Sequence, residues 1–322
     1  MPPKSDNGAS KNSNNNDASP SHKKPEHHDE SKDNASRETV SSIPAKRKKL
    51  SASQEGSDKV PRRSGRSKAK PEAVNVLQYL LSANSLDLCR PNDESKDLAE
   101  RGELRTYSDS EFNPFEELLS AVILSRPISH VLGVRTIRTI LNDPYNFVSP
   151  KAILDAGSEK VHQSLWDAKT QHKDKTADQL SNVAKIISEN FSDGDTEDTS
   201  LDGVRKESEH DMNKESDLLT SSIKGLGKTG MSIFFRRIQW LWEECYPYVD
   251  DRTGHALEEL GLPSQAEQLA EMIDENWDEL KESVATKKDE NTQKRHAFVM
   301  LLERAIGAEL EKNTQTILEQ VQ

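Results

Sequence analysis

The sequence predicts an all-α protein whose folded part follows a basic tail. Apolar residues recur at helical spacing from residue 71 onward, and no segment alternates as a half-buried strand would. The first 70 residues instead are rich in Ser, Asn, Lys and Pro and show no periodicity. Such a segment cannot bury enough apolar surface to offset its chain entropy. We therefore expect a disordered tail over 1–70, an all-α domain over 71–310 and a C-terminal end over 311–322.

The first helices follow from periodicity and from residues that favour helix ends. The face of a first helix comprises Val74, Leu77, Leu80 and Leu81. A charged stretch over 91–111 links it to a nearly apolar segment over 114–124. Because Pro114 occupies a favourable helix-start position, that segment predicts a central buried helix. A further helix spans 131–141 and ends at Asn142-Asp143-Pro144.

The second half of the chain continues in the same way. Serine caps predict short helices from Ser149 and Ser158, and an amphipathic helix follows over 176–191. Residues 192–217 are acidic and polar, which predicts a solvent-exposed insertion, disordered in character. We expect the next helical pair to extend through Trp240 and Trp242, and a later helix to stop at Gly261. The predicted C-terminal core comprises Phe298, Leu301, Leu302, Ala305 and Ile306.

Charge divides the chain. Residues 1–70 carry 16 Lys and Arg against 9 Asp and Glu, whereas the whole chain has a net charge of −12. The basic cluster Lys46-Arg47-Lys48-Lys49 has the form of a nuclear localisation signal, which predicts an import receptor as partner and the nucleus as location. The cluster over 62–68 is a candidate arm along a DNA backbone. For both clusters, a solvated charge run is the alternative.

Several classes of protein are disfavoured by the sequence. The N-terminus lacks the apolar region of a secretion signal, and no apolar run approaches bilayer length, so we expect no membrane partner. Cys89 and Cys245 are too few for an iron–sulfur cluster, which takes four ligands. No spacing typical of a metal site is visible. We expect two ordinary thiols in a reducing compartment.

The string Ile223-Lys224-Gly225-Leu226-Gly227-Lys228-Thr229-Gly230 carries the strongest functional signal. Glycines two apart let backbone N–H groups approach a bulky anion, and the helix that follows directs its positive end to the same place. Residues 221–241 contain no acidic residue. A nucleotide-binding loop would need a glycine at Ser222 and a buried strand before it, and both are missing. A helix-hairpin-helix motif fits every position, and a glycine-capped helix end is the plainer alternative.

Two further segments connect this hairpin to a known family. The first is Val249-Asp250-Asp251-Arg252, in which Asp250 lies 25 residues after Gly225. The second is Glu259-Leu260-Gly261-Leu262-Pro263, which follows it. Phe112-Asn113-Pro114-Phe115 opens the predicted central helix. Together these segments resemble the helix-hairpin-helix DNA glycosylase superfamily related to endonuclease III (HhH-GPD), over roughly residues 112–263.

The resemblance implies roles for individual residues. Asp250 matches the family's catalytic aspartate, although Asp250 or Asp251 would also serve as a helix cap. The resemblance also implies double-stranded DNA as partner and a monomeric protein. It implies a monovalent cation on the hairpin carbonyls, but no other cofactor. The implied phosphate and DNA contacts are Lys224, Gly225, Leu226, Gly227, Lys228, Thr229, Gly230, Arg236 and Arg252.

The departures from the family pattern sharpen the expectation. Thr229 stands where lyase members carry a lysine, and a hydroxyl cannot form a Schiff base. The chain is therefore expected to be a monofunctional DNA N-glycosylase without strand cleavage. Arg252 replaces the family's histidine, and Arg126-Pro127-Ile128-Ser129 replaces its Gln-rich turn. The alternatives are a catalytically inactive relative that binds DNA or protein, and an acidic helical scaffold.

Overall fold

The computed structural model describes residues 72–284 and 288–322. These residues form α-helices, short 3₁₀ and π turns and loops, without a β-strand, which confirms the predicted all-α class. The helices are α1 Ala73–Leu81, α2 Leu86–Cys89, α3 Asn92–Arg101, α4 Pro114–Leu124, α5 His130–Leu141, α6 Pro150–Asp167, α7 Lys173–Ile186, α8 Asp202–Glu207, α9 Met212–Ser222, α10 Lys228–Ile238, α11 Asp251–Glu259, α12 Ala266–Glu275, α13 Trp277–Leu280, α14 Glu290–Leu310 and α15 Thr314–Gln320.

The helix-hairpin-helix is formed by α9, the turn over 223–227, and α10. The turn closes through a hydrogen bond that the Leu226 N–H donates to the Ile223 carbonyl (3.1 Å). Gly225 has a φ of +88°, which favours glycine. Gly230 allows close packing instead, because a Cβ there would lie 2.5 Å from the buried Leu226 Cδ1 and 3.4 Å from Ser125 Cβ at the end of α4. The turn therefore presents its backbone to solvent while α10 packs closely against α4.

Two apolar clusters form the interior. The first joins α4 to α7 with the hairpin and is centred on α4, whose apolar side chains from Phe115 to Ile123 are buried. The second surrounds the long helix α14, against which α1, α2, α11 and α12 pack. The predicted core residues of α14 all belong to it. Because α10 also contacts α14, the hairpin connects the two clusters.

Several predicted boundaries are wrong. Residues 192–217 are not a disordered insertion: they include α8 and the start of α9, and their Leu201 and Val204 are fully buried in the core. The prediction failed because the segment contains many charged residues and only a few apolar ones, so its composition does not show that those few are buried. The stretch over 91–111 contains α3, and α10 ends before Trp240. Residues 311–322 carry α15, which buries Ile317.

The tail over 1–70, with Lys46-Arg47-Lys48-Lys49 and the arm over 62–68, lies outside the described residues. Within the described part of the chain, no helix combines the length and apolar character needed to span a bilayer.

Candidate active site

A cavity of about 400 Å³ opens where the two apolar clusters meet. Ile233 from the first cluster and Ile306 from the second both line it. The N-terminal residues of α5, α10 and α11 line it too. Each helix N-terminus carries a partial positive charge, so their convergence favours a negatively charged ligand near the opening. The cavity has the size of small-molecule sites in general.

Asp250 lies in this cavity as the N-cap of α11. Its Oδ1 accepts a hydrogen bond from the Thr253 N–H (3.2 Å), and its Oδ2 accepts one from the Thr253 hydroxyl (2.7 Å). The carboxylate is largely buried, with 11% of the side chain exposed, whereas Asp251 is exposed. Asp250 therefore caps α11, and both aspartates line the cavity, while the catalytic role of Asp250 stays a prediction.

Arg236 fixes the charge of Asp250. Its Nη1 donates to Asp250 Oδ2 (3.0 Å) and its Nε donates to Glu303 Oε1 (2.6 Å). Arg236 was expected to contact DNA phosphate, but it is 7% exposed and engaged with two carboxylates. That expectation is wrong, because a guanidinium held inside the protein by two anions is not available to a phosphate outside.

The ionisation of Asp250 reflects opposing effects. Burial alone would raise the pKa of Asp250, but the Arg236 charge and the Thr253 hydrogen bonds outweigh it and lower that pKa. The carboxylate is therefore ionised at neutral pH and can stabilise positive charge or accept a proton from water.

The hairpin offers a row of backbone donors beside the cavity. The amides of Gly227, Lys228, Thr229 and Gly230 occupy the N-cap and first turn of α10, where a helix has no acceptor for them. The Leu226 amide, by contrast, is engaged in the turn, so the expectation that it holds phosphate is wrong. Gly227 is exposed, and a Cβ there would meet nothing within 4 Å, which leaves room for an approaching anion.

The remaining basic residues are placed differently from one another. Lys224 and Lys228 are exposed on either side of the turn, and Lys228 and Thr229 line the cavity. Arg252 also lines it, with 61% of its side chain exposed and an ion pair to Glu309 (3.0 Å). Lys228 and Arg252 therefore add positive charge to a cavity that Asp250, Asp251 and Glu303 also line.

The hairpin carbonyls bear on the predicted cation. The Ile223 carbonyl accepts from the Leu226 N–H, and the Lys224 carbonyl accepts from Gln179 Nε2 (3.3 Å). Each carbonyl keeps one lone pair, so a monovalent cation there stays a prediction. Among the described residues, no group of three His, Cys, Asp or Glu is arranged to hold a metal ion.

The cavity residues that sequence reasoning missed include Tyr107, His130 and Glu303. The signal for Glu303 is that the pair Glu303-Arg304 interrupts an apolar stretch from Phe298 to Ile306, where a buried charged residue needs a partner. Tyr107 is 3% exposed and lies under the Arg237 guanidinium, 4.4 Å from the ring centroid. No sequence pattern identifies Tyr107 or His130, because helices distant in the chain bring them together.

Arg237 binds residues next to the cavity, including Tyr107, which lines it. Its guanidinium donates to both oxygens of Glu117 and to the Tyr107 carbonyl (3.0 Å). Both charged residues are buried. This pair joins α4 to α10 and to the segment that carries Tyr107, so it fixes the shape of the cavity without facing a ligand.

Comparisons with known proteins give a remote structural likeness. No family model matches the sequence, and no curated protein matches it at a significant level. The chain is similar to the crystal structure of H. pylori 3-methyladenine DNA glycosylase (MagIII) bound to 1,N6-ethenoadenine. The TM-score is 0.38 and the sequence identity 16%, over 72% of this chain and 98% of that chain.

Proposed function

We propose that the protein is a monofunctional DNA N-glycosylase that uses Asp250 as its essential carboxylate. The observation that carries the proposal is that Asp250 and the N-terminus of α10 line one cavity of about 400 Å³. An enzyme that acts on a base in duplex DNA needs a phosphate-holding element beside a pocket for the extruded nucleotide. The sequence resemblance to helix-hairpin-helix glycosylases supports the same assignment.

The proposed reaction is hydrolysis of the bond between the base and C1′ of deoxyribose. That bond breaks with its electron pair passing to the base, and the ionised Asp250 stabilises the positive charge left on the sugar. A water oxygen then bonds to C1′, and a water proton passes to the Asp250 carboxylate. Because Thr229 offers no amine, the reaction ends at an abasic site.

The partner in this proposal is double-stranded DNA. The backbone amides of Gly227, Lys228 and Thr229 hold a phosphate, and Lys224 and Arg252 add charge at the opening. Gly225 supports the turn, and Gly230 the packing of α10. The protein acts as a monomer on DNA of any flanking sequence, since these contacts do not read bases.

The test is base release from duplexes that carry uracil, an alkylated base or an oxidised base, with the full chain. Asp250→Asn keeps an N-cap acceptor and is expected to abolish release, whereas the exposed neighbour Asp251→Asn is the matched control and retains it. Full release by Asp250→Asn, or equal loss in both variants, contradicts the role of Asp250.

A second candidate is a catalytically inactive DNA-binding relative. It is favoured by one observation: both oxygens of Asp250 already accept hydrogen bonds within the protein. Salt-sensitive duplex binding without release of any base would support this candidate. Binding unaffected by Gly227→Ala would instead support an acidic scaffold without a nucleic-acid role.

The nuclear location is proposed separately, on the tail sequence. A fluorescent fusion of the full chain is expected to accumulate in the nucleus through an import receptor. Alanine at Lys46, Arg47, Lys48 and Lys49 is expected to leave it in the cytoplasm. Unchanged nuclear accumulation would assign the cluster to a solvated charge run.

A further inference from the structure

His130 lines the cavity and has no partner among the described residues. It is the first residue of α5, directly after the capping Ser129, and it lines the same cavity as Asp250. Its side chain is half-buried. Within residues 72–284 and 288–322, neither ring nitrogen has a hydrogen-bond or ion-pair partner. A polar ring that faces a cavity in this way is available to a ligand.

The surroundings of His130 keep the imidazole neutral. Burial lowers the pKa of His130 to about 4; Glu303 on α14 opposes this effect, and Arg236 on α10 and Arg252 on α11 add to it. Asp93 on α3 contributes in the same sense as Glu303. The positive end of α5 also disfavours a second proton. At physiological pH the ring therefore has one N–H donor and one bare nitrogen.

A neutral N–H donor suits one class of departing base. When the C1′–N bond breaks, an uncharged base receives the electron pair and leaves as an anion. A fixed donor aimed at that charge lowers the barrier. A base that is already cationic, such as an N7-methylated purine, leaves as a neutral molecule and gains little from such a donor.

We propose that His130 donates its ring N–H to the departing base, and that the substrates are uncharged bases of the uracil type, which leave as anions. The inference rests on the proposed glycosylase function and adds the substrate class to it. Asp250 stabilises the positive charge that forms on the sugar, and His130 stabilises the negative charge that forms on the base.

The test uses the full chain and three duplexes that differ only in the target base: uracil, 5-fluorouracil or N7-methylguanine. His130→Leu removes the donor, and His130→Gln keeps an amide donor. His130→Leu is expected to lower kcat for uracil by about 100-fold. The loss is expected to be smaller for 5-fluorouracil, whose fluorine stabilises the anion, and small for N7-methylguanine. His130→Gln is expected to restore part of the uracil activity.

A control and a pH profile separate this role from a structural one. His255→Gln, on the exposed face of α11 with 81% of its side chain accessible, should change no rate. Since both Asp250 and His130 keep their charge states, uracil release by the native chain should be constant from pH 8 to pH 5. Equal losses on all three bases, or a midpoint near pH 6.5, would overturn the role of His130 alone. Release of no base by the native chain would refute the proposed function and this inference with it.

Discussion

Arg236 offers the most direct test of how the site is held together. Its guanidinium is the bridge between Asp250 and Glu303, and all three side chains are at least 89% buried. Replacement by methionine keeps the apolar stem of the side chain but leaves the buried Asp250 carboxylate without its ion-pair partner. Glu303 keeps only Arg237, whose Nη1 lies 3.9 Å from Glu303 Oε2. Removing one partner of a buried ion pair costs about 3–5 kcal/mol. We expect Arg236→Met to lower the free energy of unfolding by that amount at pH 7.

The pH dependence gives this prediction a sign. In the native chain the pKa of Asp250 is lowered, so its contribution to stability is present above the unfolded value of about 3.9 and is lost as the pH falls through the folded pKa. In Arg236→Met the buried Asp250 carboxylate loses the positive charge that stabilises its ionised form. Protonation of Asp250 then removes the cost of a buried, unpaired negative charge. The variant is therefore expected to gain stability from pH 7 to pH 5, where the native Asp250 contributes no change.

The assay is urea unfolding of the full chain at both pH values, followed by circular dichroism. Arg252→Met is the control, because Arg252 is exposed and has a single ion pair at the surface. Its effect should stay within about 0.5 kcal/mol. A loss below about 1 kcal/mol for Arg236→Met, or parallel pH curves for the native chain and the variant, would refute the reasoning; so would equal losses for the two arginines.

Three further predictions concern the hairpin and two buried groups. Gly227→Ala should leave the melting temperature unchanged but weaken duplex binding. Gly225→Ala should lower the free energy of unfolding by about 1–2 kcal/mol, because the φ of Gly225 is +88°. Equal melting temperatures for the two variants would contradict the turn geometry. Burial, with the nearby Glu244 charge, raises the pKa of Glu215 to about 7, above its unfolded value of about 4.3. The free energy of unfolding should therefore increase as the pH is lowered from 8 to 5, and Glu215→Gln should make it less dependent on pH over that range. The Tyr107 hydroxyl is buried without a partner among the described residues, so Tyr107→Phe should raise the free energy of unfolding by about 1 kcal/mol; a loss would show that the hydroxyl is satisfied.

Local patterns in the sequence predict the helices that position the site. Pro114 and the apolar segment behind it define α4, and Asp250 followed by Leu257 and Leu260 defines α11. The glycine spacing predicts the turn between α9 and α10. These signals are short in range, because caps and turns depend on neighbouring residues.

The partners of the site residues are beyond such patterns. Arg236 lies in a segment, 221–241, that has no acidic residue, which predicts a phosphate contact. Its partner Glu303, however, is 67 residues away in the chain. Only the packing of α10 on α14 brings the two together. The error over 192–217 has a similar origin, since Leu201 and Val204 are too few to show a period but enough to be buried.

The position of the cavity between two separate apolar clusters has a mechanical consequence. Its walls belong to two bodies of side chains, and the ionic contact from α10 to α11 and α14 spans the boundary. The width of the opening therefore depends on how the side chains of each cluster pack, including side chains far from the cavity itself. Alanine at a fully buried position in either cluster, such as Leu118 or Leu301, would therefore be expected to change the cavity without replacing any residue that lines it.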